Sequence, residues 1–186
     1  MEIDEVFKDA ETRMKKTVEA TQSELSKIRT GKASPAILDA VRVDYYGSNV
    51  PIKQVASISV PEPRLINIQP WDKKMLSEIE RAILKSDLGL NPINDGNTIR
   101  VPIPPLTEER RRDLVRVVHK LGEEGRIAIR NIRRDANERL KKAEKSHEIS
   151  EDDSHRAMKE IQELTDEYIK KIDEIIKDKE EEILEG

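Results

Sequence analysis

The chain has 186 residues, room for one domain or two small ones, with 39% charged and 3% aromatic residues, a net charge of −4 and no cysteine. This composition excludes disulfides, a thiolate nucleophile and a cysteine-based zinc site, and it favours thin Leu/Ile/Val seams between helices over a large core. The acidic N-terminus (Met1 to Glu5) carries no apolar signal run, and no stretch approaches the ~18–20 apolar residues of a membrane span, so a cytoplasmic protein without a membrane partner is expected.

Residues 2–28 read as a helix: Ile3, Phe7, Ala10, Met14, Thr21, Leu25 and Ile28 recur at three- and four-residue spacing. Gly31 and Pro35 end it. From Ile37 the period shortens. Val41, Val43 and Tyr45 alternate with Arg42, Asp44 and Tyr46, the pattern of a half-buried strand, and Gly47-Ser48-Asn49 supplies a turn. Val55–Val60 and Leu65–Gln69 are further strand candidates, separated by Pro61-Glu62-Pro63. Trp71–Asp87 returns to helical spacing, Leu88–Asn97 is loop-like, and Thr98–Ile103 is a last strand ending at Pro104-Pro105. Residues 30–106 therefore read as a small α+β unit.

Thr107 to His147 has no proline and reads as one long helix, with Thr107 as N-cap and Glu108 and Glu109 suited to the positive end of its dipole. Leu114, Val118, Leu121, Ile129, Ile132, Ala136, Leu140 and Ala143 form its apolar stripe. Gly122 and Gly125 could mark a break, since each costs up to about 1 kcal/mol relative to Ala. The stripe keeps its phase across them, which favours continuity. Arg112, Arg116, Arg126, Arg130, Arg133 and Arg134 lie broadly opposite, with His119 and Lys141 among them. Residues 107–147 hold 13 Lys/Arg against 8 Asp/Glu, net +5, whereas residues 148–186 hold 6 against 15, net −9. A directed basic patch beside an acidic neighbour fits this segregation better than indiscriminate polyanion binding. Ser150 and Asp153 resemble a capping box, and Met158, Ile161, Leu164, Tyr168, Ile172, Ile175, Ile176 and Ile183 mark another long helix.

Three long helices with narrow apolar stripes must bury those stripes against one another. The predicted fold is thus α+β: an elongated three-helix bundle of residues 1–29 and 107–186, with a small α+β domain inserted at 30–106. The chain would cross between the two at Arg29-Thr30-Gly31 and Pro104-Pro105-Leu106, and adjacent crossings make a hinge.

No enzyme motif is present: no phosphate-binding Gly-x-x-x-x-Gly-Lys-Ser/Thr loop, no Gly-x-Gly-x-x-Gly and no His-Glu-x-x-His. His119, His147 and His155 are too scattered for a metal site, and no catalytic residue or cofactor is expected. Tyr45, Tyr46 and Trp71 could stack on bases, but a core role in a domain poor in aromatics is the stronger expectation. Arginine on the basic face favours phosphate or base contacts over mere solubility, which lysine would serve as well.

Several blocks in register resemble one family. Lys27-Ile28-Arg29-Thr30-Gly31-Lys32-Ala33-Ser34-Pro35, Tyr45-Tyr46-Gly47, Asp87-Leu88-Gly89-Leu90-Asn91-Pro92, Ile99-Arg100-Val101-Pro102, Pro104-Pro105-Leu106-Thr107-Glu108-Glu109-Arg110-Arg111, Arg130-Asn131-Ile132-Arg133-Arg134-Asp135-Ala136-Asn137 and Ile149-Ser150-Glu151-Asp152-Asp153 are similar to the junctions, hairpin and central helix of ribosome recycling factors. The resemblance implies a non-enzymatic cytoplasmic translation factor, L-shaped and tRNA-like in its dimensions. Such a factor binds the post-termination ribosome across the A and P sites of the large subunit. With elongation factor G and GTP it splits the ribosome, freeing mRNA and tRNA. The resemblance also implies ribosomal RNA contacts from the bundle, notably at Arg130 and Arg133, and motion at the two crossings. Other classes are an RNA-binding helical arm acting on free tRNA, which the insertion disfavours, and a self-associating coiled coil, which the polar outer faces disfavour. A monomer is expected.

Overall fold

The computed structural model describes residues 2–185, so Met1 and Gly186, the outermost residues of the expected bundle, lie outside it. The chain divides into two compact units. One takes Arg29 and the residues before it together with Glu108–Glu185; the other is Thr30–Thr107.

The first unit consists of α1 (Glu2–Ser26), α3 (Glu108–Lys145) and α4 (Glu151–Glu185). Each turns one stripe inward. Val6, Ala10, Met14, Thr21 and Leu25 are buried on α1, and Ile161, Leu164, Tyr168, Ile172, Ile176 and Ile183 are among those on α4. On α3 the buried positions are Leu114, Val118, Gly122, Gly125, Ile129, Ile132, Ala136, Leu140 and Ala143. The helix runs unbroken through both glycines, so they are not a break. The seam differs from expectation at one step: Leu121 is half-buried at its flank, and Gly122 takes the inward position.

The reason is space. A Cβ on Gly122 would lie 2.8 Å from Ile176 Cγ1, and one on Gly125 would lie 2.9 Å from Thr21 Oγ1 and 3.1 Å from Ile172 Cδ1. Both glycines together cost the helix about 2 kcal/mol of propensity. Fully burying one isoleucine returns about 1.5–3 kcal/mol, so seating Ile172 and Ile176 outweighs that cost. Polar contacts tie the helices at their margins: ion pairs of Arg13 with Asp135 (3.1 Å) and Arg139 with Asp9 (3.4 Å) between α1 and α3, and His119 Nε2 against a Glu180 carboxylate oxygen (3.1 Å) between α3 and α4.

The turn from α3 to α4 follows from its backbone bonds. His147 adopts φ +62°, the Glu148 amide donates to the Ala143 carbonyl at 2.9 Å, and Ile149 is buried. This is the left-handed cap that usually falls to glycine. Ser150 Oγ then accepts from the Asp153 amide at 3.0 Å, the expected N-cap of α4.

The second unit is a four-stranded antiparallel sheet in the order β3-β4-β6-β5, from β3 (Ala56–Glu62), β4 (Leu65–Pro70), β5 (Ile93–Asn94) and β6 (Ile99–Pro102). A hairpin of β1 (Arg42–Tyr45) and β2 (Ser48–Pro51) and the helix α2 (Leu76–Lys85) complete it. Its core is aliphatic: Val43, Ile66, Ile68, Ile79, Ile83, Ile99 and Val101 are wholly buried. Four boundaries differ from the sequence reading. The change of period placed at Ile37 falls within a 3-10 turn, Pro35–Leu38, capped by Ser34 Oγ accepting from the Ala36 amide, and the strand itself begins at Arg42. Strand β3 continues through Pro61, tolerated because β3 is an edge strand whose register shifts between Ser59 and Glu62. Helix α2 starts five residues after Trp71, at Leu76, behind an Asp72-capped 3-10 turn at Lys73–Met75. The Leu88–Asn97 segment contains the two-residue β5, whose short pairing has no periodic signature.

The close seam yields a test. Ile176 is β-branched and stiff in a helix, so it cannot rotate away from a new methyl group. Gly122→Ala should therefore destabilise the helical transition in urea by about 1 kcal/mol, despite gaining helix propensity. Combining it with Ile176→Ala should cost less than the two single changes together, because that truncation removes the clashing Cγ1. A stabilised Gly122→Ala protein would refute the close-approach account.

Candidate nucleic-acid interface

The six arginines expected on one face separate into two groups. At about 100° per residue, Arg112, Arg116, Arg130 and Arg134 point away from the α3 seam, whereas Arg126 and Arg133 flank it on the α4 side. All four of the outward group are exposed. Arg112 reaches Glu108 at 2.9 Å and Arg116 reaches Asp113 at 3.4 Å, pairs one helical turn apart. Arg130 lies 3.8 Å from Glu123, and Arg134 has no side-chain partner among the described residues. Such exposed pairs hold a side chain by about 0–1 kcal/mol, so their guanidinium groups can be surrendered to another anion.

Arg126 is different. Its side chain is only 21% exposed, with Nε 2.7 Å from Asp173 on α4 and Nη1 3.2 Å from Glu123. Burial disfavours its charge, but the hydrogen bonds and charges of Asp173 and Glu123 outweigh that and raise its pKa above the ordinary arginine value. It therefore ties α3 to α4 as a permanent cation. Arg133 donates to Gln162 Oε1 at 3.2 Å, and Gln162 in turn donates to Asp166 at 2.9 Å. Its guanidinium sits at the rim of the helix pair, neither buried nor free.

Two residues of the outward face carry no charge and were not singled out by the sequence. Ile127 is 48% exposed, and Asn131 is exposed one turn further on. On the helical wheel Ile127 lies about 20° and Asn131 about 60° from the direction that Arg116 and Arg134 share, so the wheel was the available signal. The face therefore offers cations, an amide and an apolar contact, a mixture that suits both phosphate and ribose or base. Among the described residues no group of three His, Asp or Glu side chains is placed to hold a metal ion, and no helix is long and apolar enough to cross a membrane.

The three aromatic residues expected in the core of the second unit are outside it. Tyr45, Tyr46 and Trp71 are all exposed, because isoleucine and valine already fill the space between sheet and helix. The two crossings meet within that unit: Gly31 has φ +83°, and a Cβ there would come within 3.3 Å of Leu106 Cγ. Thr30 is buried beside it, whereas Arg29, Pro104 and Pro105 are exposed.

The ribosome recycling factor family model matches residues 21–184. The chain belongs to the ribosome recycling factor family. These are translation factors and not enzymes. The chain is 59% identical over 181 residues to the ribosome-recycling factor of Symbiobacterium thermophilum, covering 97% of this chain and 98% of that one. It is 54% identical to that of Nitratidesulfovibrio vulgaris, over the full length of both. A solution structure of the ribosome recycling factor matches with TM-score 0.75 and 48% identity over 100% of this chain and 99% of that one. Models of the T. thermophilus ribosome recycling factor and E. coli elongation factor G bound to the E. coli post-termination complex match with TM-score 0.63 and 49% identity, covering 99% of this chain and 100% of that chain.

The division of the arginines predicts opposite phenotypes for neighbours on one helix. Arg126→Ala should destabilise the bundle by about 1 kcal/mol, through the lost tie to Asp173 and the lost packing of its stem. Arg134→Ala should change stability by no more than about 0.5 kcal/mol. Urea unfolding followed by helical ellipticity separates the two, and equal losses would contradict the assignment.

Proposed function

We propose that this chain recycles ribosomes after termination, as a cytoplasmic monomer that binds the post-termination ribosome across the A and P sites of the large subunit. With elongation factor G and GTP it would split that ribosome into subunits and release mRNA and tRNA. The observation that carries this reading is the end-to-end match to one family of translation factors at 54–59% identity. The exposed arginines of α3 support it, because a rigid row of loosely held guanidinium groups is suited to a folded polyanion. In this reading residues 1–29 and 107–186 are the ribosomal RNA-binding domain. Arg112, Arg116, Arg130 and Arg134 make phosphate contacts directly, Arg133 contributes from the rim, and Arg126 orients the face. Residues 30–106 form the second domain, which moves about a hinge of Arg29, Thr30, Gly31, Pro104, Pro105 and Leu106.

A subunit-splitting assay with elongation factor G and GTP tests the reading directly. Intact post-termination ribosomes after incubation with all three components would overturn it.

For the RNA face, Arg130→Ala and Arg133→Ala should each weaken ribosome binding by roughly ten- to hundredfold, the effect of losing about 1.5–3 kcal/mol of charge-assisted bonding. Each should also flatten the dependence of log affinity on log salt by about 0.7–0.9. Lys159→Ala and Lys170→Ala, exposed on the acidic α4, should leave affinity nearly unchanged. Equal losses from all four substitutions would mean diffuse attraction instead of a directed face.

For the hinge, the left-handed backbone at Gly31 and its closeness to Leu106 make any side chain there strained. Gly31→Ala should therefore reduce splitting more than it reduces binding, since the bundle supplies the RNA contacts. If both fall in parallel, the hinge has no separate role.

A further inference from the structure

The second unit keeps its largest aromatic surfaces in solvent. Trp71 is 69% exposed and Tyr46 72%, over a core that neither ring enters. Tyr45 and Tyr46 meet edge to face with centroids 4.8 Å apart, and Tyr46 Oη donates to Asp72 Oδ2 at 3.1 Å, which draws the hairpin turn to the residue following Trp71. The turn itself does not call for a ring. Tyr45 pairs with Ser48, and the two residues between them, Tyr46 and Gly47, have φ +49° and +87°. Positive φ at both central positions is the geometry that Asn-Gly forms without strain, and a bulky side chain there is rare. Something other than turn formation accounts for a tyrosine at this place.

The charges around the rings are unequally engaged. Asp44 accepts from the Gly47 amide at 2.9 Å, and Asp72 accepts from the Lys74 amide at 3.0 Å as well as from Tyr46. Both acids are spent on holding the turn and the Asp72 cap. Lys73 and Lys74, which follow Trp71 and Asp72 in the chain, are exposed, and their ammonium groups have no ion-pair partner among the described residues. Aromatic faces beside unpaired cations fit a nucleotide, whose base stacks while its phosphate meets a lysine. They fit a protein partner less well, because lysine is depleted from protein–protein interfaces.

We propose that Tyr46 and Trp71 form a stacking platform for an unpaired base of single-stranded RNA, with Lys73 and Lys74 meeting the adjacent phosphates. On the ribosome-recycling reading, on which this rests for the source of the RNA, the second domain also engages ribosomal RNA, through an unpaired base and the phosphates beside it.

Trp71 is the sole tryptophan of the chain, so its fluorescence reports the platform directly. Single-stranded oligoadenylate of about eight nucleotides should quench it saturably, and an RNA duplex of the same length should not. Tyr46→Asn removes the ring from a turn that accepts Asn, so it should weaken the oligoadenylate affinity by roughly five- to hundredfold with no loss of thermal stability. Tyr46→Phe, which keeps the ring and loses only the bond to Asp72, should stay within about twofold. Quenching should persist in the Arg130→Ala, Arg133→Ala double variant, whose lesion lies in the other unit. Absent quenching, equal quenching by the duplex, or undiminished affinity of Tyr46→Asn would overturn the platform. A second arm places photoreactive benzoylphenylalanine at position 71 in chain bound to ribosomes. Crosslinks to RNA support the proposal, and crosslinks to a ribosomal protein overturn it. Co-sedimentation with ribosomes is scored separately. A chain that binds ribosomes without Trp71 quenching loses the platform alone, and one that quenches without binding ribosomes loses the recycling reading alone.

Discussion

The close passage of α4 and α1 over Gly122 and Gly125 is the constraint on which the rest of the bundle depends. Missing Cβ atoms let Ile176, Ile172 and Thr21 occupy what would otherwise be side-chain volume on α3. That contact fixes register as well as distance. Moving along α3 from His119 through Arg126 to Arg133, the partners on α4 retreat from Glu180 to Asp173 to Gln162, as antiparallel neighbours in a fixed register must. On the other side, Thr21, Arg13 and Asp9 of α1 meet Gly125, Asp135 and Arg139 in the same antiparallel order. Helices with longer residues at these two positions would stand further apart, and the marginal pairs would no longer reach one another.

Register then decides which charges are available. The basic helix supplies both structural ties and a free face, and a phase difference of tens of degrees separates them. Arg126 is committed because it is enclosed: with little water around it, surrendering Asp173 would leave a poorly solvated guanidinium. Arg112 and Arg116 hold their acidic neighbours in full solvent, where exchanging a carboxylate for a phosphate costs no more than about 1 kcal/mol. A phosphate contact is worth more than that when it is bidentate. The acidic residues of α3 thus do not cancel its arginines. They keep the helix soluble and its side chains ordered until a stronger anion is presented.

Much of this was legible in the sequence, for identifiable reasons. Long helices announce themselves because apolar residues at three- and four-residue spacing persist over many turns, and α3 kept its phase through both glycines. Position 122 is hidden from a hydropathy pattern because a glycine contributes none: the apolar stripe runs through Leu121, one step away from the residue that faces inward. The six arginines read as one face for a related reason. Opposite the seam is a broad description, and the difference between Arg126 and Arg130 lies in what α4 places beside each, which no reading of α3 alone contains. Short strands fared worst. Ile93–Asn94 pairs with β6 over two residues, too few for any period to show.

The aromatic residues of the second unit lie where burial alone would not place them. Scarce rings are usually the first residues claimed by a small core, since each buries more apolar area than any aliphatic side chain. Here the sheet faces a helix whose inward positions are Leu76, Ile79 and Ile83, and strands β4 and β6 answer with Ile66, Ile68, Ile99 and Val101. Branched aliphatic residues of similar volume already fill the layer, so a ring inserted there would force its neighbours from their rotamers. Once the core is complete without them, the tyrosines and the tryptophan are free of any packing duty. Their exposure then carries a hydration cost that folding does not repay. Tyr46 adds to it a backbone conformation that a smaller residue would adopt with less strain. Two independent costs at adjacent points of one surface are hard to account for by folding alone, and a ligand with flat apolar faces relieves the first of them whenever it binds.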